Sequence, residues 1–178
     1  MKAIGLTEYL CIDDPRSLRD LDIAEPATPQ GHDIMVRVEA VSVNPVDTKL
    51  RGPKSTVEPQ PRILGFDAAG VVEAVGADVT AFLPGDEVYY AGDVTRPGSN
   101  ARLQLVDERL VGRKPSTLDF AEAAALPLTT LTAWELLFER MPFQFDGNHN
   151  AGKSLLVIAG AGGVGSIAIQ LHGMPDSR

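Results

Sequence analysis

Gly160-Ala161-Gly162-Gly163-Val164-Gly165 combines residue type and spacing in a way chemistry can use. The run satisfies the pattern G-x-G-x-x-G, which serves where a strand turns sharply into a helix. Gly160 is expected to take the positive φ of that tight turn. Gly162 has no side chain to block a pyrophosphate, and Gly165 lets the helix pack closely on the strand. The helix N-terminus then offers N–H groups to the phosphate. The flanks fit this reading. Leu155-Leu156-Val157-Ile158 is a continuous apolar run, as in a strand buried on both faces, and Ser166 to Leu171 has helical character. A glycine-rich turn without a ligand is the alternative.

The sequel to this fingerprint is short. A full unit takes ~30 residues, with an acidic or basic residue ~20 positions on to hold the ribose. Only 13 residues follow Gly165, and Gly173 and Pro175 break the helix. No second parallel strand is expected. The chain by itself is therefore expected to bind a dinucleotide weakly or not at all.

The elements upstream must position whatever else acts. The first 115 residues suggest an antiparallel, barrel-like β domain. Ile34, Val36, Val38 and Ala40 alternate with Arg37 and Glu39, the pattern of a half-buried strand over Ile34 to Val43. Leu64 to Val75, rich in Gly, Ala and Val, is expected to form strands in close backbone contact. Asp86 to Tyr90 and Ala101 to Val106 are two more short strands. Pro84-Gly85-Asp86, Gly92-Asp93 and Pro97-Gly98-Ser99-Asn100 supply turns between them.

Beyond Pro115 the pattern becomes helical. Asp119 is an N-cap, with Glu122 placed to close a capping box. A short helix is expected from Phe120 to Leu126, ended by Pro127. A second runs from Thr130 to Met141, with Leu131, Trp134, Leu137, Phe138 and Met141 on one face, and Pro142 stops it. Asp146-Gly147 marks a turn before the apolar run.

Composition bounds the function. The chain has 178 residues, 44% apolar and 22% charged, enough for a real core. A net charge of −8 without any basic run argues against nucleic acid or an anionic membrane as partner. Cys11 is the only cysteine, so neither an intramolecular disulfide nor a cysteine-based zinc site can form within one chain. His32, His149 and His172 are scattered in polar or terminal contexts, and no metal site is expected from them. The N-terminus carries no secretory pattern, and no run approaches the ~20 apolar residues of a membrane span. A cytoplasmic protein is the expectation.

Several segments together resemble the medium-chain dehydrogenase/reductase superfamily, in the branch of zinc-type alcohol dehydrogenase-like proteins and NAD(P)H:quinone oxidoreductases. They are Val43-Asn44-Pro45-Val46-Asp47-Thr48-Lys49, Leu64-Gly65-Phe66-Asp67-Ala68-Ala69-Gly70-Val71-Val72, Pro84-Gly85-Asp86-Glu87-Val88, Ala124-Ala125-Leu126-Pro127, Leu131-Thr132-Ala133-Trp134 and the glycine loop. They come in the family's order from Met1 to about Leu171. The resemblance implies a GroES-like catalytic domain over 1–126. A connecting helix and the truncated start of a Rossmann domain, its first strand and the start of its first helix, would follow over 127–178. It implies hydride transfer from NADP (or NAD) to a quinone, an enone or a related carbonyl compound, with homodimerisation in the full-length form.

The resemblance also assigns roles. Asn44 stands where zinc alcohol dehydrogenases place their first metal-binding Cys, Phe66 replaces the His of Gly-His-Glu, and Leu128 falls near the last Cys. Asn and Phe cannot replace thiolate and imidazole, so no zinc is expected and a zinc-dependent alcohol dehydrogenase is disfavoured. Catalysis would then need hydrogen-bond donors for the developing oxyanion. Asn44 is the first candidate, and Lys49 a second as cation or proton donor. Asn44, Phe66 and Asp67 are the expected substrate contacts. Thr132 matches a position that touches the nicotinamide, beside cofactor contacts at Gly160, Ala161, Gly162, Gly163, Val164 and Gly165.

Plainer roles stay open for the same residues. Asn44 before Pro45 also suits a turn. Asp47 suits a local loop contact, Lys49 a solvated surface, and Asp67 a buried hydrogen-bonded carboxylate. For the chain as a whole the alternative is a catalytically inactive, truncated GroES-like domain that needs a partner or a missing C-terminal half.

Overall fold

Small residues on a central strand organise the first part of the chain. The computed structural model describes residues 1–145, 147–150 and 152–173. These divide into two compact units, Met1–Pro127 and Leu128–Arg178.

The first unit holds eight strands: β1 (Lys2–Tyr9), β2 (Arg19–Asp22), β3 (Asp33–Ser42), β4 (Lys54–Ile63), β5 (Asp67–Val75), β6 (Glu87–Ala91), β7 (Leu103–Asp107) and β8 (Val111–Arg113). They form two antiparallel sheets, ordered β2-β1-β4 and β7-β3-β5-β6-β8. An Ala3–Ala101 bridge and the Ile4 N–H donating to the Asn100 carbonyl at 2.8 Å stitch the two sheets together.

The alternation in β3 does what its pattern suggests. Ile34 and Val36 are fully buried, packed with Ala68, Val72, Val88, Tyr90 and Val106. On the other face Arg37 pairs with Glu39 and Glu73. The Gly-Ala run in β5 allows close approach on both sides. A Cβ at Gly70 would lie 2.2 Å from the Arg37 carbonyl oxygen. Ala69 meets Ala123 and Ala124 of helix α2 (Phe120–Ala124), all fully buried.

Caps and buried polar groups fix the ends of elements. The Asp119 carboxylate accepts from the Glu122 N–H at 2.7 Å, and Glu122 accepts from the Asp119 N–H at 3.0 Å. That is the capping box the spacing predicts. Glu108 is buried and accepts from the Thr80 and Ala81 N–H groups at 3.1 and 2.9 Å, with the His32 ring nitrogen at 2.8 Å. The Ala81 bond, followed by His32, holds its carboxyl below the usual carboxylate value. Burial pushes the Tyr90 phenol far above its usual value, and its hydroxyl donates to Gln104 at 2.8 Å.

In the second unit, Pro127 begins a helix rather than merely ending one: α3 runs Pro127–Trp134 and continues as a π-helical segment over Glu135–Arg140. Proline lacks only the N–H that a first helical residue does not use. The Met141 N–H donates to the Leu136 carbonyl at 3.0 Å, the wider spacing of a π turn. Leu137 and Ala133 are buried with Phe143 and Ala168, and Phe138 and Met141 pack against them. Leu131 is instead exposed, whereas Trp134 stacks near Phe138 and Phe145 with ring centres 4.8 and 4.9 Å away.

The expected strand at Leu155–Ile158 is not formed. Residues 153–157 are neither helix nor strand, and 158–161 turn. A strand exists through hydrogen bonds to a neighbour, and no parallel partner occurs among the described residues. Alternation survives nonetheless. Leu155 packs on the second unit's core and Val157 is half-buried, while Leu156 and Ile158 are each 85% exposed. Helix α4 (Gly163–Gly173) follows. Asp146 of the expected turn, and residues 174–178, lie outside the described residues.

Candidate functional site

Two separate places hold the candidate residues. In the first unit they gather around the start of the seven-residue helix α1 (Pro45–Arg51), whose N-cap is Asn44. Pro45 at the first helical position starts the turn with a preset φ. The Asn44 backbone N–H donates to the Asp47 carboxylate at 2.7 Å, and the Asp47 N–H donates to the Asn44 carbonyl at 2.9 Å. Asp47 therefore fixes the local loop. Its other carboxylate oxygen is buried and has no hydrogen-bond partner among the described residues.

The Asn44 side chain is turned inward and is only 7% exposed. Its Nδ2 donates to Asp67 Oδ2 at 2.9 Å. Asp67 opens β5, opposite Ser42 of β3, and is fully buried. The Ser99 hydroxyl donates to its backbone carbonyl at 3.3 Å. Beside it, Gly65 has φ of +108°, and a Cβ there would meet Ser99 Oγ at 2.4 Å, so glycine is required. Phe66 is partly buried, and its carbonyl accepts from the Gly92 N–H at 2.9 Å.

The structure thus brings Asn44, Asp47 and Asp67 together. Phe66 adjoins them in sequence, while the Lys49 side chain is exposed on α1. The contribution of the Pro97-Gly98-Ser99-Asn100 loop has no signal in the sequence beyond its turn chemistry. A hollow of about 780 Å³ elsewhere in the first unit, walled by β4, β7 and the 94–98 loop, touches none of Asn44, Asp47, Lys49, Phe66 and Asp67.

The second place is the glycine loop. Here the positive φ falls on Ala159, at 59°, and not on Gly160. The chain makes its left-handed turn one residue early, where the Gly162 N–H closes onto the Ala159 carbonyl at 3.0 Å. Gly165 does need to be glycine: a Cβ would sit 2.6 Å from the Ala159 carbonyl oxygen. At Gly163 a Cβ would touch Thr129 at 3.0 Å. The first N–H groups of α4 have no acceptor within the helix. A hollow of about 450 Å³ adjoins them, bordered by Leu136, Met141, Leu156, Gly162 and Ala168. Thr132, on α3, is exposed and donates its hydroxyl to the Leu128 carbonyl at 2.8 Å.

No group of three or more His, Cys, Asp or Glu side chains suited to a metal occurs among the described residues. Around Asn44 the polar side chains are one amide and two carboxylates, with neither thiolate nor imidazole bonded to them. The glycine loop does fit a phosphate group, because the close approaches at Gly163 and Gly165 leave backbone rather than side chain at the helix head.

An antiparallel domain with an Asn-capped helix and a buried Asp, followed along the chain by a glycine loop heading a helix, is the order of parts that the sequence resemblance implies. Residues 30–129 match the alcohol dehydrogenase GroES-like domain, and the chain belongs to that family within the medium-chain dehydrogenase/reductase superfamily. It is 48% identical over 171 residues to a zinc-type alcohol dehydrogenase-like protein of Staphylococcus aureus, covering 96% of this chain and 50% of that one. It is 40% identical to the chloroplastic NADPH-dependent alkenal/one oxidoreductase of Arabidopsis thaliana, covering 96% and 44%. Among solved structures, the quinone oxidoreductase of Escherichia coli complexed with NADPH superposes with a TM-score of 0.73 at 28% identity, covering 96% and 48%. The chain spans about half the length of the curated relatives it matches.

Proposed function

We propose that this protein is a zinc-independent, NAD(P)H-dependent oxidoreductase that reduces a quinone, an enone or a related carbonyl compound. The observation that carries the reading is the close-packed glycine loop at the head of α4, where a Cβ at Gly165 would collide with the Ala159 carbonyl and where a helix N-terminus suits a phosphate. The names of the relatives, an alkenal/one oxidoreductase and a quinone oxidoreductase, supply the substrate class. A cytoplasmic setting suits a chain with one exposed free cysteine.

Gly160 to Gly165 would hold the cofactor's pyrophosphate, and Thr132 would lie near its nicotinamide. The cofactor supplies the hydride. The chain's own part is to bind, orient and stabilise charge. As the hydride reaches the substrate, negative charge grows on the carbonyl or quinone oxygen. A preorganised N–H donor lowers that barrier without a metal, and Asn44 is the donor assigned here. Phe66 adds an apolar wall, and Lys49 supplies a cation at the exposed side of α1.

The decisive test is titration of the purified chain with NADPH, followed through the fluorescence of Trp134. Turnover of a simple benzoquinone or enone is measured alongside. Saturable micromolar binding with turnover supports the oxidoreductase reading for this chain. Absence of both assigns it the second reading, a GroES-like domain that requires a C-terminal half. The exposed Leu156 and Ile158 favour that second reading, since they leave apolar surface beside the loop uncovered.

A further inference from the structure

Asp67 is fully buried and holds the side chain of Asn44, the donor assigned to the proposed reaction. Its Oδ2 accepts from Asn44 Nδ2 at 2.9 Å. Both residues are immobilised by backbone. Asp67 sits in the β3–β5 ladder opposite Ser42 and is braced by Ser99, and Asn44 is tied at N–H and carbonyl to Asp47.

An asparagine amide has two faces that differ only in which atom is nitrogen and which is oxygen. Packing alone does not choose between them, because the two are nearly the same size. Here the nitrogen is the atom that faces Asp67, 2.9 Å from Oδ2, and an ionised carboxylate, which only accepts, would hold it there with the carbonyl oxygen facing away. We infer that Asp67 is a positioning residue that locks the Asn44 amide in a single flip state. The remaining N–H and the carbonyl oxygen of Asn44 are then held in fixed places. This inference rests on the oxidoreductase reading for its consequence, but its geometry stands independently of it.

The geometry is polar and buried, which gives it leverage. A donor aimed at developing charge helps only if it is already oriented when the charge forms. An asparagine at position 67 would keep size and shape, but it both donates and accepts. Either flip of Asn44 would then be satisfied, and the orientation would be lost without loss of packing.

The test uses the full chain labelled with 15N, with Asn44→Ala serving to identify the Asn44 side-chain amide signals. In the wild type the two Nδ2 protons should be well separated, with the one facing Asp67 exchanging with water about tenfold more slowly than its partner. In Asp67→Asn the separation should collapse and a second, flipped set should appear, while backbone signals of α1 and β5 hold their positions. Equal exchange of the two protons in the wild type overturns the inference, and that measurement does not depend on any variant folding. So does an unchanged Asn44 amide in a folded Asp67→Asn chain.

Kinetics separate this from the function itself. If the wild type turns over NADPH with a quinone, Asp67→Asn should lower kcat roughly tenfold with KM within about twofold. An unchanged kcat overturns the positioning role. If the wild type shows no turnover, the oxidoreductase reading fails for this chain while the amide measurement still decides the lock.

Discussion

At the residue scale, the informative pairs are those that sequence distance hides. Asn44 and Asp67 are 23 positions apart, and both belong to motifs quoted for other reasons. If Asn44 supplies the oxyanion donor, Asn44→Ala should lower kcat by about 10²-fold in steady-state assays of quinone reduction. Lys49→Ala, at an exposed position, should lower it far less if Lys49 is only surface. Gly165→Val would drive a side chain into the Ala159 carbonyl, and isothermal titration should show NADPH affinity lost. Glu108 gives a pH dependence. Its carboxyl is held below the usual value, chiefly by the Ala81 N–H and then by His32. Its stabilising contribution is therefore complete above the ordinary carboxylate range and fades as pH falls through the lowered value. Glu108→Gln should unfold at lower denaturant than wild type at neutral pH, and the gap should narrow in acid.

At the scale of elements, capping and alternation were the legible signals. The Asp119–Glu122 box and the two faces of β3 follow directly from residue order. Asp119→Ala should cost about 1 kcal/mol, read as a lower denaturation midpoint of the first unit. Other elements were hidden by chemistry that misleads. β4 contains Pro59 and Pro61 and is mostly exposed, which a strand tolerates only at a sheet edge, and β4 is such an edge. Gly5 interrupts β1, where a Cβ would meet the Arg62 carbonyl oxygen at 2.8 Å. Pro127 reads as a stop but serves as a start. The segment after Trp134 is π-helical; Leu131, before it, is exposed, and Leu137, within it, is buried. Leu137→Ala should destabilise the second unit by about 2–5 kcal/mol, measured by the loss of its slow-exchanging amides.

For the whole molecule, the two units differ in what they can sustain. The first has a core cluster from Ile34 to Val106 on its five-stranded sheet and a further cluster around Leu6 and Tyr9 on the other. The second has a small cluster around Leu137 and Ala168, with Leu156 and Ile158 in water. A fragment covering 1–127 should give a cooperative thermal transition and dispersed amide signals. A fragment beginning at Leu128 should not, because so short a chain buries too little apolar surface to offset its entropy. Replacing Leu156 and Ile158 with Lys should raise the concentration at which the full chain stays monodisperse in light scattering.

The sequence by itself determined the lineage, the antiparallel character of the first unit, the capped helix and the glycine-rich loop that heads α4. These depend on period, turn chemistry and motif order, which are local. Only the tertiary structure decided that Asp67 is buried against the Asn44 amide and that the turn at the loop is taken by Ala159. It also decided that Leu155 to Ile158 does not become a strand. The Asn44–Asp67 contact is settled by a partner distant in sequence, and the missing strand by the lack of one among the described residues. Hydrogen-bond pairing and burial belong to the neighbourhood, not to the residue alone.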